Sequence, residues 1–159
     1  MILYHGTNID FESIDITKSK PNKDFGQGFY LTQNYSQAME MGKLKAMQTN
    51  IGSARVLDYE FDEALLSDGS LKVLRFDGYS SEWAEFILKN RNGKPYVPQH
   101  DYDIVIGPIA DDRVGFQLRR YETGIIDMKL LIENLKYMKG ITIQYFFGTQ
   151  KALEKLKRL

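Results

Sequence analysis

Short β-favouring runs closed by glycine or proline recur from the first residues of this chain to its last, and they fix its class. Ile2-Leu3-Tyr4-His5 runs into Gly6, and Phe29 to Thr32 follows Gly26-Gln-Gly28. Arg55 to Phe61, Leu71 to Phe76, Tyr102 to Gly107 (stopped by Gly-Pro) and Ile141 to Phe147 read as further strands. Helical stretches alternate with them. Asn34 or Ser36 can cap a helix running to about Gln48, with Ala38, Met39, Met41, Leu44, Ala46 and Met47 as its apolar residues. Ser80 or Ser81 can cap a helix carrying Trp83, Phe86, Ile87 and Leu88. Asp111 to Tyr121 is helical or irregular, and Ile125 to Met138 has helical apolar spacing that Gly140 ends. Thr149 can cap a last helix, while Lys18 to Asp24, polar and interrupted by Pro21, reads as a surface loop. No repeat, low-complexity tract or linker divides the chain, so residues 1–159 are expected to form one α+β domain.

Composition narrows the function classes. With 43% hydrophobic residues, a chain of 159 residues can bury roughly two thirds of its unfolded surface, so neither metal nor disulfide is needed to hold a core. The absence of cysteine excludes disulfides, thiolate zinc sites and cysteine nucleophiles, and favours a reducing, cytoplasmic setting. Met-Ile-Leu-Tyr-His is not a signal-peptide start, and no run of about 18 apolar residues exists to span a membrane. His5 and His100 are the only histidines, with no His-Glu-x-x-His spacing, so no metal is expected. Lys plus Arg (21) balances Asp plus Glu (21), which argues against a broad nucleic-acid footprint. The basic tail Lys151 to Leu159 reads as a solvated helix whose cations suit its C-terminal dipole.

Three pieces carry chemistry: Tyr4-His5-Gly6-Thr7, then Asp24-Phe-Gly-Gln-Gly-Phe-Tyr-Leu-Thr32, then Ser36-Gln-Ala38 opening a helix. Each alone is a weak signal, but their order and spacing together resemble the NAD-binding core of the ADP-ribosyltransferase fold, in its His-Tyr-Glu branch. Through Glu82-Trp83 to Asn90-Arg91, Tyr102 to Asp112 and Gln144 to Thr149, the chain also resembles a family of small bacterial proteins of uncharacterised-domain status (DUF3990-like), suspected toxins of toxin–antitoxin pairs. The resemblance implies two small packed antiparallel or mixed sheets with an NAD-binding cleft and peripheral helices. It implies an NAD⁺-dependent mono-ADP-ribosyltransferase that cleaves the nicotinamide–ribose bond. Its partners would be a macromolecular acceptor, protein or nucleic acid, and an antitoxin protein. The alternative is a module of the same fold that binds NAD⁺, ADP-ribose or a partner without turnover.

Roles follow residue by residue from the resemblance. His5 would hydrogen-bond the adenosine-side ribose, and the Gly6 backbone would face the nicotinamide carboxamide, since glycine permits close approach. Thr7 would bond a ribose hydroxyl or finish a turn. Tyr30 would stack on nicotinamide, with Tyr35 as a second aromatic face, at about 1 kcal/mol per ring beyond burial. Ser36 would touch the ribose or the amide, or simply cap its helix. Gly28 and Phe29 would complete the cofactor-binding set; against this, Gly26 and Gly28 can be turn residues, His5 a structural histidine and Tyr30 plain core. The branch's glutamate, which stabilises charge at the anomeric carbon, has Gln144 at its place in this sequence. Gln144 can hydrogen-bond a ribose but is neutral, which removes part of the electrostatic stabilisation. Asp111 and Asp112 can substitute as an acid/base pair or cap a helix. Glu82 and Glu85 read as solvent-facing, and Arg91 can grip a pyrophosphate or pair with a carboxylate.

Overall fold

The computed structural model describes residues 1–159. It contains seven strands, β1 (Ile2–Thr7), β2 (Phe29–Leu31), β3 (Arg55–Glu60), β4 (Val73–Arg75), β5 (Ile104–Pro108), β6 (Ile143–Phe147) and β7 (Lys157–Arg158). Five α-helices join them: α1 (Tyr35–Thr49), α2 (Ser81–Asn92), α3 (Asp112–Glu122), α4 (Met128–Lys136) and α5 (Gln150–Leu153). Two short 3₁₀ turns lie at Ile16–Lys18 and Glu63–Leu66. The result is the α+β architecture expected from the strand runs, with two small sheets as the resemblance implied.

The first sheet has the order β1-β3-β7 and is antiparallel throughout. The second has the order β2-β6-β5-β4 and is mixed, because β4 runs parallel to β5. The sheets face each other across an apolar layer of Leu3, Leu57, Tyr59 and Phe61 on one side and Leu31, Ile104, Ile106 and Phe147 on the other. The other face of the second sheet is covered by α2, α3 and α4. There Val105 and Phe146 meet Trp83, Ile87, Val114, Leu118, Leu131 and Leu135. No helix is long and apolar enough to cross a membrane.

Caps set the helix starts. Asn34, not Ser36, caps α1 by accepting from Gln37 N, and Ser80, not Ser81, caps α2 by accepting from Trp83 N. Asp127 caps α4, so that helix begins at Met128 and Ile126 packs from the preceding loop. It ends at Lys136, short of Gly140, whose positive φ bends the later turn. Two expectations are corrected. The tail is not one solvated helix: α5 stops at Leu153, and Lys157–Arg158 adds an edge strand to β3. Arg158 binds Asp10 at 2.7 Å, and the Leu159 N–H donates to Asp58 O. Nor is the broad apolar side of α1 its buried one. Met41, Leu44 and Met47 are exposed, and the buried residues are Ala38 and Gly42. The cause is close backbone approach: a Cβ on Gly6 would strike the Ala38 carbonyl, and one on Gly42 would lie 2.8 Å from Thr7 O.

Candidate functional site

β1 and β2 meet at a single bridge, where Tyr4 N donates to Thr32 O (2.8 Å) and Thr32 N to Tyr4 O (2.9 Å). One residue further along β1, His5 turns its imidazole across the gap, with Nδ1 2.8 Å from Tyr30 O. A carbonyl only accepts, so Nδ1 carries the proton and Nε2 keeps a lone pair. The ring stacks on Phe29 (centroids 4.3 Å apart) and meets Phe11 edge-on at 5.9 Å. Burial holds its pKa near 3, helped by the charges of Lys45 and Lys23 and opposed by the Tyr30 carbonyl. His5 is therefore a neutral acceptor at any ordinary pH.

Two lysines surround it. Lys45 of α1 donates to Gly6 O at 2.7 Å and reaches His5 Nε2 at 3.5 Å, the outer limit of hydrogen bonding. Burial, and then the charge of Lys23, bring its pKa down to about 8. Lys23 stands over the Tyr30 ring, 4.8 Å from its centroid, in cation–π contact. Burial also lowers the Lys23 pKa, with Lys20 adding and Asp24 opposing. Beneath it the Tyr30 hydroxyl donates to Gly26 O (2.7 Å) and accepts from Phe25 N (3.1 Å). Burial pushes this phenol well above its ordinary range. Tyr30 is thus anchored by its tip and shares its ring face with an ammonium.

The other candidate residues are dispersed around this crevice. The Gly6 carbonyl is taken by Lys45, and its missing side chain makes room for α1. Thr7 is buried, and its hydroxyl accepts from Ile9 N, the turn-finishing role. A Cβ on Gly28 would run into the Phe146 ring, so this glycine admits a core aromatic. Phe29 is buried as the floor under His5. Ser36 is exposed on the first turn of α1, in a separate cleft of about 450 Å³ that Tyr35, Gln37, Ile141 and Tyr145 also line. Gln144 is half-buried on β6 and pairs with Gly107. Strand alternation puts it on the sheet face of Phe146 and Tyr30, and its side chain has no hydrogen-bond partner.

Arg91 is committed to a carboxylate, with Nε 2.7 Å from Asp24 Oδ1, while Asp24 Oδ2 accepts from Ala110 N at 2.7 Å. Asp111 caps α3. Burial raises its pKa, but hydrogen bonds from Val114 and Arg113 outweigh that and leave it below the usual carboxylate range, against a shared acid/base pair. Asp112 is exposed on the first turn of α3, and Glu82 and Glu85 are exposed on α2. His100 is pinned at both nitrogens, by Phe25 O (2.7 Å) and Tyr102 N (3.1 Å), which makes it structural.

Lys23 and Lys45 are absent from the residues chosen on the sequence. For Lys45 a signal exists: Ala38, Gly42 and Lys45 stand four and three residues apart, one stripe of a helix, and the first two are buried. A lysine on that stripe is brought inward.

A two-sheet α+β domain with a half-buried histidine at the point where its sheets part is the class that fold and geometry define. The chain belongs to the family described as "Protein of unknown function (DUF3990)", which it matches over residues 1–158. No curated protein and no solved structure matches it.

Proposed function

We propose that this chain has the ADP-ribosyltransferase-like fold and is an NAD⁺-dependent mono-ADP-ribosyltransferase working in the cytoplasm as the toxin of a toxin–antitoxin pair. The observation that carries this reading is His5: a neutral imidazole locked in one tautomer, its Nε2 lone pair held only by a 3.5 Å contact with Lys45. A ribose hydroxyl can take that acceptor. Around it stand Tyr30, fixed by its hydroxyl, and two cations suited to a dinucleotide's phosphates.

In the reaction the C1′–N bond to nicotinamide breaks and its electron pair leaves with nicotinamide. An acceptor lone pair on a protein or nucleic-acid group then forms the new bond at C1′, and the acceptor gives up its proton. Gln144, unpartnered on the Tyr30 face of the second sheet, supplies a hydrogen bond to the ribose without a charge. Asp112, exposed on the first turn of α3 without an ion-pair partner, is the carboxylate proposed to take the acceptor's proton. Gln144 also favours a second reading, in which the crevice binds NAD⁺ or ADP-ribose without turnover.

Nicotinamide release from NAD⁺ by purified protein tests the first reading, with His5→Ala and Tyr30→Ala beside the wild type. Release that both variants lose supports a transferase. NAD⁺ binding without release supports the binding module. If NAD⁺ neither turns over nor binds, both readings fail.

A further inference from the structure

We infer that Lys23, over the Tyr30 ring, and Lys45, beside His5, form a phosphoryl-anion site, taking the diphosphate of a dinucleotide or a free phosphate group of the same chemistry. The identification with NAD⁺ rests on the function proposed above; the anion site itself does not.

The argument begins with what these lysines lack. The chain's lysine ion pairs are those of Lys43, Lys72 and Lys157, all with exposed partners. Lys23 and Lys45, both half-buried, have none. The carboxylate whose field reaches Lys23, that of Asp24, is already held by Arg91 and the Ala110 N–H. Removing an ammonium from water without a counter-charge is costly, and two that repel each other cost more. A fold that keeps both has left a place for an anion.

The local geometry fits. Lys45 spends its donors on Gly6 O at 2.7 Å and weakly on His5 Nε2, so one of its three N–H groups stays free. His5 is not a competing cation, because burial and the neighbouring charge of Lys45 keep its ring neutral. Lys23 is held over the Tyr30 ring by cation–π attraction alone, a contact it can exchange for a phosphate oxygen. The same cations disfavour the pyridinium of NAD⁺ on that ring face, since like charges would meet. Tyr30 therefore serves the phosphate end of a dinucleotide.

Calorimetric titration with inorganic pyrophosphate, NAD⁺ and adenosine, on wild type, Lys23→Met and Lys45→Met, tests the site. The expected result is pyrophosphate binding to the wild type that each variant weakens by about tenfold or more, as losing a charge-assisted contact should. NAD⁺ weakening in parallel, with adenosine unaffected, places its diphosphate here. Pyrophosphate binding that the variants lose while NAD⁺ affinity stays constant supports the anion site and assigns it to a free phosphate group. Wild type that does not bind pyrophosphate, or variants that bind it equally well, overturns the inference even if NAD⁺ is still cleaved. Lys45→Arg, which keeps the charge, should retain binding and so separates loss of charge from misfolding.

Discussion

His5 and Lys45 are both penalised when protonated in the folded chain, in different pH windows, and both effects are measurable. His5 has a folded pKa near 3 against an ordinary 6.5, so between those values the unfolded chain takes up a proton that the folded chain refuses. Stability should therefore fall as pH drops through this window, by up to about 1.4 kcal/mol per unit. Denaturant titrations at pH 7, 6 and 5 should show that decline in wild type and a shallower one in His5→Asn, which keeps a donor for Tyr30 O but does not titrate. Parallel pH curves for the two proteins would refute the buried, neutral assignment. Lys45, with a folded pKa near 8 against 10.5, is penalised when charged: stability falls as pH drops from 10.5 towards 8, and the whole cost is present below 8. At pH 7, Lys45→Met should raise the melting temperature by roughly 2–4 °C, the shift that about 1 kcal/mol gives a chain of this size. A lower melting temperature would mean that the bond to Gly6 O outweighs the charge. A lysine that costs stability where it stands is what a ligand contact looks like.

At the scale of elements, the position of Lys45 depends on how closely α1 lies on β1. Gly6 and Gly42 remove the side chains that would separate helix from strand, so Gly6→Ala must push α1 outward against the Ala38 carbonyl. The expected loss is about 3 kcal/mol or more in chemical denaturation, since the obstacle is backbone and cannot rotate away. An effect below about 1 kcal/mol would show that α1 shifts freely. Much of this architecture is legible in the sequence: β-favouring runs marked six of the seven strands, and capping residues marked the starts of α1, α2 and α5 to within a residue or two, while α4 begins at Met128, three residues after Ile125. What was not legible has a common cause. Met41, Leu44 and Met47 suggested a buried apolar stripe, but burial went to Ala38 and Gly42, because contact across a glycine pair depends on a partner strand far away in sequence. The same cause hid Lys45, whose stripe with Ala38 and Gly42 points inward only once those two are known to be buried. The short β7 was missed because its two residues are held by β3, Asp10 and Phe11 rather than by any pattern of their own.

For the whole molecule, His5 sits where the two sheets part, beside the one bridge that joins β1 to β2. A ligand reaching His5, Tyr30, Lys45 and Lys23 would contact β1, β2, α1 and the loop of Lys23 at once, so binding should stabilise the domain as a unit rather than one lobe of it. A ligand that binds only the folded state adds stability in proportion to the logarithm of its concentration over Kd, about 2.7 kcal/mol at a hundredfold excess. NAD⁺ at that excess should therefore raise the melting temperature of wild type by roughly 5–10 °C in a single transition, at 2–4 °C per kcal/mol. His5→Ala should lose most of the rise by losing the ribose acceptor. Gln144→Glu should keep it, because the amide and the carboxylate both accept from a hydroxyl. The same three proteins separate catalysis from binding in cells. If the chain is a toxin acting through NAD⁺ consumption, expressing wild type should slow growth and deplete NAD⁺, His5→Ala should do neither, and Gln144→Glu should do both more strongly, since a carboxylate restores charge stabilisation at the anomeric carbon. Growth slowed equally by wild type and His5→Ala would detach toxicity from the crevice. Thermal stabilisation by NAD⁺ with no depletion, even in Gln144→Glu, would leave the crevice as a binding site whose neutral glutamine is not what prevents turnover.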